Sequence, residues 1–180
     1  MGRAKTILTF LAALVCFSSP GQDLGDYKTY STILDEFLRQ NGATKDLIII
    51  QKESDTIFYG GDPKSPRLMA RLDSLMKKQI EFLNQFQISE FKSVVITRQE
   101  FRSLTVDENN DLIWDPLYEK YPAAEGVVFL SPILYTDGNK TAGILQVGLV
   151  RNSLSGGHCL VNFDLKKKRK KIKWTTTLVY

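Results

Sequence analysis

The last third of the chain alternates apolar and polar positions, and this pattern predicts an antiparallel β-meander. The alternation runs from Leu145 to Leu149, from Cys159 to Leu165, and from Ile172 to Leu178. A period of two is typical of strands that bury one face and keep the other wetter. We therefore expect one shared apolar face, formed by Leu145, Val147, Leu149, Val161, Phe163, Trp174 and Leu178.

Turn signals separate these predicted strands. Asp137-Gly138-Asn139 is the strongest, because Gly and Asn tolerate the positive φ that hairpin turns need. Ser155-Gly156-Gly157 is the next predicted turn, and the basic run Lys166–Lys171 is the last. Ahead of them, Asp115-Pro116 predicts the start of a short helix, with the Asp side chain capping its first turn. The β-branched and aromatic run Val127–Leu130 predicts a strand.

The first half of the chain shows helical spacing. A helix is predicted over Tyr27–Gln40, with Gly42 as its C-terminal stop. Its apolar stripe consists of Tyr30, Ile33, Leu34, Phe37 and Leu38. A longer amphipathic helix is predicted from Ser65, with an apolar stripe made of Leu68, Leu72, Leu75, Met76, Phe82, Leu83 and Phe86. We expect the shared apolar face of the meander to pack against this helix.

Three apolar runs in this half predict strands, namely Leu47–Ile50, Thr56–Tyr59 and Phe91–Thr97. The polar stretch Arg98–Asp111 is predicted as an exposed loop. Together the patterns predict an α+β fold, in which amphipathic helices from the N-terminal half cover the antiparallel C-terminal β-meander.

The N-terminal residues predict a secretory signal peptide over residues 1–21, followed by a single α+β domain over residues 22–180. Arg3 and Lys5 precede the apolar run Ile7–Phe17, which is too short to span a bilayer, and Ser18–Gly21 supplies small residues for cleavage. We therefore expect an exported protein, periplasmic or secreted, with no transmembrane segment in the mature chain. Val15 precedes Cys16, where a lipidated Cys normally follows Gly, Ala or Ser, so a lipid anchor is not favoured.

Charge and cysteine content narrow the function classes. The chain has 24 basic and 20 acidic residues, and removing Arg3 and Lys5 leaves 22 against 20. This near balance does not indicate nucleic-acid binding. Loss of Cys16 with the signal peptide would leave Cys159 as the one thiol, without an internal disulfide. Because Cys159 lies on the predicted core face, we expect a buried structural thiol.

The mature chain contains several scattered motifs, which are Tyr27-x-x-Tyr30-Ser31, Trp114-x-x-Leu117-Tyr118-x-x-Tyr121-Pro122, Gly126, Leu130-Ser131, Ala142, Gly156-Gly157 and Trp174. In these positions the chain resembles a group of small exported bacterial proteins that have no assigned activity. The resemblance extends over most of the mature chain and implies an exported single domain. It transfers no catalytic residue. The chain departs from the group's pattern at Pro132, where a residue like Arg or Lys is expected.

Candidate catalytic and metal-binding residues are few. His158 is the only His, so a Ser–His–acid arrangement would have to use it, with Ser155 nearby and Asn162 and Asp164 along the same predicted wetter face. One His does not indicate zinc. Asp107, Asn109 and Asp111 alternate like calcium-loop ligands, but Leu112 replaces the required Gly and Tyr118 the required Glu. The sequence predicts no metal and no cofactor.

The basic run is the most unusual feature of the chain, and it consists of Lys166, Lys167, Lys168, Arg169, Lys170 and Lys171. Like charges at this density belong at an exposed tip, where they either solubilise a turn or bind an anionic envelope surface. No aromatic residue is interleaved to stack on bases, so nucleic acid is not expected. The leading hypothesis is a non-catalytic binding or interaction module, with an anionic surface or another envelope protein as partner. The alternative is a small envelope hydrolase that uses carboxylates or the Ser155/His158 region.

Overall fold

The computed structural model describes residues 24–54, 79–83, 86–166 and 170–179, with backbone alone at 24–25 and 177–179. The helices within these residues are α1 (Leu24–Gln40), α2 (Arg98–Thr105) and α3 (Asp115–Lys120). The strands are β1 (Leu47–Gln51), β2 (Lys92–Ile96), β3 (Ala124–Leu130), β4 (Leu134–Tyr135), β5 (Ala142–Asn152), β6 (Ser155–Asp164) and β7 (Lys171–Val179). The predicted strand Thr56–Tyr59 lies outside the described residues.

The described residues form an α+β protein built on one mixed sheet of seven strands, in the order β2-β1-β3-β5-β6-β7, with β4 paired to β5. β1 runs parallel to both of its neighbours, β2 and β3. The pairs β3–β5, β5–β6 and β6–β7 are antiparallel. The described helices are not long and apolar enough to cross a membrane.

Helix α1 packs on one face of the sheet through its predicted apolar stripe. Tyr30, Ile33, Leu34 and Leu38 have no exposed surface, and they share a core with side chains of β1, β3, β5 and β6. Gly42 terminates the helix as predicted. It lies two positions beyond Gln40, the last helical residue, and has a φ of 64°. The N–H of Ala43 donates to the carbonyl of Leu38 at 3.0 Å, which gives the helix a Schellman end.

The other face of the sheet carries a second core beneath α2 and α3. Ile49, Ile96 and Val127 are buried there, together with Leu117 of α3. The loop prediction for Arg98–Asp111 is wrong over its first eight residues, which form α2. The helix forms there because the Thr97 hydroxyl accepts the N–H of Glu100 at 3.0 Å and caps its first turn. Helix α3 begins at Asp115 as predicted, but its first turn has no side-chain cap.

The β4–β5 hairpin lies where Asp137-Gly138-Asn139 predicts it, although Lys140 is the residue that adopts a positive φ, of 54°. The predicted turn at Ser155–Gly157 is wrong, because these residues begin β6. The true turn is Ser153-Leu154, between the paired residues Asn152 and Ser155. The Gly156 position serves close packing, since an added Cβ would lie 2.9 Å from the Leu149 carbonyl oxygen.

Two further sequence predictions need correction. The helix predicted from Ser65 to Phe86 falls mostly outside the described residues, but residues 79–83 are not helical. They run beside the end of β1, where the Phe82 N–H donates to Lys52 O at 2.7 Å and the Ser54 N–H to Ile80 O at 2.8 Å. In β7 the register shifts, so that Cys159 pairs with Thr176 but His158 pairs with Leu178. That irregularity breaks the alternation predicted from Ile172 to Leu178.

Candidate functional site

The basic run Lys166–Lys171 connects β6 to β7 and includes the first residue of β7. Lys166 and Lys170 are exposed on either side of residues 167–169, which lie outside the described part of the chain. Lys171 begins β7 opposite Asp164, and Lys173 follows two positions later opposite Asn162. Both of these lysines are exposed. The positive charge therefore continues from Lys166 and Lys170 along the first residues of β7, which is the outermost strand at its end of the described sheet.

Among the described residues of this basic segment, Lys166 is the one that forms an ion pair. Lys166 is held by Asp164, whose carboxylate accepts its backbone N–H at 3.1 Å and lies 3.9 Å from its Nζ. Hydrogen bonds from the Thr141 hydroxyl and the Ala142 N–H lower the pKa of Asp137, and the charge of Lys166 adds to this effect. Within the described residues, Lys170, Lys171 and Lys173 form no ion pair. This end of the sheet consequently carries a surplus of positive charge.

A groove of about 840 Å³ runs along the outer side of α1 and reaches Lys170 and Ile172. Gln87 and Ser89 line its other wall. They belong to residues 79–83 and 86–91, which we call the strap. The strap is fastened to α1 by three side chains spaced four residues apart, Tyr27, Ser31 and Asp35. Tyr27 accepts the N–H of Leu83, Ser31 that of Gln87 at 2.9 Å, and Asp35 that of Ser89 at 3.1 Å.

A smaller groove of about 250 Å³ lies near the C-terminal end of α1 and contains Ser155, Cys159 and Thr176. Cys159 packs against the α1 core, but it is half-buried rather than fully buried as predicted. Burial raises the pKa of its thiol, and the Thr176 hydroxyl 4.0 Å away only partly offsets this. The thiol therefore stays protonated near neutral pH, which is typical of a structural Cys.

His158 does not face the groove that holds Ser155. His158 pairs with Gly148 of β5, and its side chain lies on the opposite face of the sheet from the groove. Its ring centroid there lies 6.3 Å from that of Phe129. The prediction that His158 occupies a wetter face is wrong, since the residue is buried with 6% exposure. Gly148 explains the burial, because the absence of a side chain there lets the imidazole lie directly on β5. The structure thus separates Ser155 from His158.

We expect Gly148→Ala to destabilise the protein by about 1–3 kcal/mol through overpacking. An added Cβ would lie 2.5 Å from Nδ1 and 2.6 Å from Cε1 of His158, so the imidazole would have to move. Urea unfolding followed by circular dichroism measures the change. Gly138→Ala is the matched control, because its added Cβ would meet no atom within 4 Å. Equal stability of the two variants would contradict the described packing of His158.

The acidic residues serve structure at the positions described. Asp107 uses one carboxylate oxygen to accept the N–H groups of Asn109 and Asp111, each at 2.8 Å, so it closes its own loop. In the described residues no three or more His, Cys, Asp or Glu side chains cluster as metal ligands. The sequence reasoning missed Glu125, which is buried in β3 and accepts hydrogen bonds from the Thr44 and Lys45 N–H groups and from Arg151. The sequence feature that could have identified Glu125 is a single acidic residue within an otherwise apolar strand.

Comparison of the chain with family models, with curated proteins and with solved structures finds no match.

Proposed function

We propose that the protein is an exported, non-catalytic binding module that attaches to an anionic envelope surface through its basic β6–β7 turn. The observation that carries this proposal is the surplus of exposed lysine at one end of the sheet. Lys166 has a carboxylate partner, whereas Lys170, Lys171 and Lys173 form no ion pair among the described residues. Clustered cations of this kind attract anionic lipid, and each contributes about 1 kcal/mol to binding.

The sheet gives the turn a rigid base. In this proposal the antiparallel C-terminal meander lies under amphipathic helices from the N-terminal half, and α1 is the described member of that cover. Phe163 and Trp174, near the turn, both pack into the α1 core, and Trp174 contacts Phe37 with ring centroids 5.5 Å apart. Lys171 and Lys173, which lie on this base, hold their charges together at little entropic cost. The resemblance to small exported bacterial proteins supports the assignment to the envelope.

The separation of Ser155 and His158 favours binding over hydrolysis by a Ser–His pair. Ser155 lies in the smaller groove, and His158 is buried against Gly148 on the opposite side of the sheet. The closest carboxylates in the larger groove, Asp35 and Glu36, are both bonded to Arg39, at 3.0 and 3.1 Å. Carboxylates that share a guanidinium are poorly suited to act as a general acid, which needs a raised pKa.

Binding to lipid vesicles tests this proposal. The mature chain should bind vesicles that contain phosphatidylglycerol and not vesicles of phosphatidylcholine alone. Binding should weaken steeply as salt rises, because salt screens the attraction beyond a Debye length of about 8 Å. Replacing Lys167, Lys168, Arg169 and Lys170 with Ser should lower the partition coefficient by at least about a hundredfold. Co-sedimentation measures it.

The matched control removes the same charges elsewhere. Lys45, Lys92, Lys120 and Arg102 are exposed and lie outside the α1 groove, and their replacement by Ser deletes three lysines and one arginine, as in the turn variant. This control should retain most of the binding. Equal losses in both variants would show that net charge alone attracts the protein, and no binding by the unmodified chain at low salt would reduce the run to a solubilising turn. Binding to an acidic protein but not to lipid would likewise overturn the proposal.

A further inference from the structure

The groove along α1 has a composition that its structural role does not explain. Tyr27, Ser31 and Asp35 are used to hold the strap, but the groove is also lined by Lys28, Gln87 and Lys170. Among the described residues these three side chains make no hydrogen bond or ion pair, and all three are exposed. The groove of about 840 Å³ also lies within the size range of small-molecule sites, about 300–1,000 Å³.

The charges in the groove favour an anion. Three cations line it, Lys28, Arg39 and Lys170, against the two carboxylates of Asp35 and Glu36. Arg39 bonds both carboxylates, which are held besides by Ser89 and by Gln40. The ammonium groups of Lys28 and Lys170 are therefore the charges left for a ligand.

The remaining groups favour a ligand with hydroxyls. The Ser31 hydroxyl uses only its oxygen to accept the Gln87 N–H, so its proton can donate outward. The Gln87 side chain offers both a donor and an acceptor. Ile172, half-buried, provides a small apolar surface of the kind that the C–H face of a sugar ring contacts. A lone phosphate ion would use the two cations and leave these groups without partners.

We infer that the groove between α1, the strap and the start of β7 binds an acidic sugar, either a sugar phosphate or a uronic acid. Lys28 and Lys170 hold the acidic group, and Ser31 and Gln87 bond the sugar hydroxyls. The inference deepens the proposed function, because Lys170 belongs to both the groove and the basic turn. It names the headgroup chemistry that the protein recognises on an anionic envelope surface.

Isothermal titration calorimetry of the mature chain tests the inference with four probes, glucose 6-phosphate, glucuronate, glucose and inorganic phosphate. At least one acidic sugar should bind at least about tenfold more tightly than glucose and than phosphate, because only it engages the cations and the hydroxyl partners together. Phosphate that binds as tightly as glucose 6-phosphate would overturn the inference, since the sugar would then contribute nothing. Failure of both acidic sugars to bind would overturn it as well.

Two pairs of variants locate the site. Lys28→Ser combined with Gln87→Ala should weaken acidic-sugar binding at least about tenfold. The matched control is Lys92→Ser with Gln99→Ala, which changes the same residue types at exposed positions away from the groove and should leave binding unchanged. Equal binding by the groove variant and its control would place the sugar elsewhere and contradict the inference.

A turn variant separates this inference from the proposed function. Replacing Lys167, Lys168 and Arg169 with Ser keeps Lys170, so acidic-sugar binding should persist while vesicle binding falls. Sugar binding without vesicle binding in the unmodified chain would overturn the proposed function but support the inference that the groove binds an acidic sugar. Vesicle binding without sugar binding would overturn the inference that the groove binds an acidic sugar and would leave the proposed function standing.

Discussion

Replacing Phe163 with Ala should lower the free energy of unfolding by about 3–5 kcal/mol, because it removes a large ring from a closed part of the core. The residue is 4% exposed, and its ring meets that of Tyr135 nearly at a right angle with centroids 6.2 Å apart. The ring also covers Gly143, where an added Cβ would lie 2.8 Å from the Phe163 Cζ. Paired strands flank the space, so the backbone cannot easily close the cavity. Urea unfolding at neutral pH measures the loss.

Leu154→Ala provides the comparison for this experiment. Leu154 is 84% exposed in the turn between β5 and β6, so its truncation removes apolar atoms that are already in water. Its free energy of unfolding should stay within about 0.5 kcal/mol of the unmodified protein. Comparable effects of the two substitutions would mean that Phe163 does not lie in the α1 core, and that the assignment of faces in β6 is reversed.

The apolar stripes that face α1 could be predicted from sequence because their spacing is a local property. The wetter face predicted for β5 is wrong, since residues 143–149 are buried on both sides and Gln146 is 3% exposed. The α1 stripe, from Tyr30 to Leu38, and the alternation in β5, from Leu145 to Leu149, needed no knowledge of their partners. The buried run of β1 was equally visible. Its parallel pairing with β2 and β3 was not, since strand direction depends on connections that local pattern does not encode.

The errors arise where a tertiary contact decides the local structure. Gly156 looks like a turn residue, but it lies within β6 because the β5 backbone passes too close for a side chain. Phe82 fits a helical stripe, yet hydrogen bonds to the end of β1 hold it in an extended segment. The sequence does contain the signal for α2, because Thr97 and Glu100 have the spacing of a helix cap, although the overall polarity of the stretch favours a loop.

The two proposed binding features differ in how far sequence could reveal them. The basic run Lys166–Lys171 is a local concentration of charge, so the sequence alone identifies it. The groove brings Lys28 of α1 together with Gln87 of the strap and with Lys170 before β7. These residues are distant in the chain and match no motif. Only the folded arrangement, in which Ser31 and Asp35 fasten the strap to α1, places them around one space.

Replacing Glu125 with Ala should destabilise the protein by about 2–4 kcal/mol, because three donors then lose their acceptor. Glu125 is 8% exposed, and Arg151 donates to it through Nε at 2.7 Å. The carboxylate also accepts the N–H of Thr44 at 2.9 Å and that of Lys45 at 3.1 Å, which joins the segment after α1 to β3 and β5. Arg151 keeps 31% exposure and can recover some hydration, which limits the loss.

The same carboxylate predicts how stability depends on pH. Burial favours the neutral form, but the hydrogen bonds from Thr44, Arg151 and Lys45 outweigh it and lower the pKa of Glu125 below its ordinary 4.5. Its contribution should therefore be fully present above about pH 4.5 and decline as pH falls through the lower folded-state value. Glu125→Gln should lose stability at neutral pH, and its difference from the unmodified protein should shrink in acid.

Glu119→Gln is the control for this pH series, since Glu119 is exposed in α3 and makes no ion pair among the described residues. Its stability should follow that of the unmodified protein within about 0.5 kcal/mol at every pH. Gln has nearly the same shape as Glu, but it carries no charge and replaces one acceptor oxygen with an NH2 donor that faces other donors. The part of the Glu125 difference that falls away in acid therefore reports the ionised side chain. A difference that stays constant down to pH 2 would show that Glu125 stabilises the fold by packing and not by its charge.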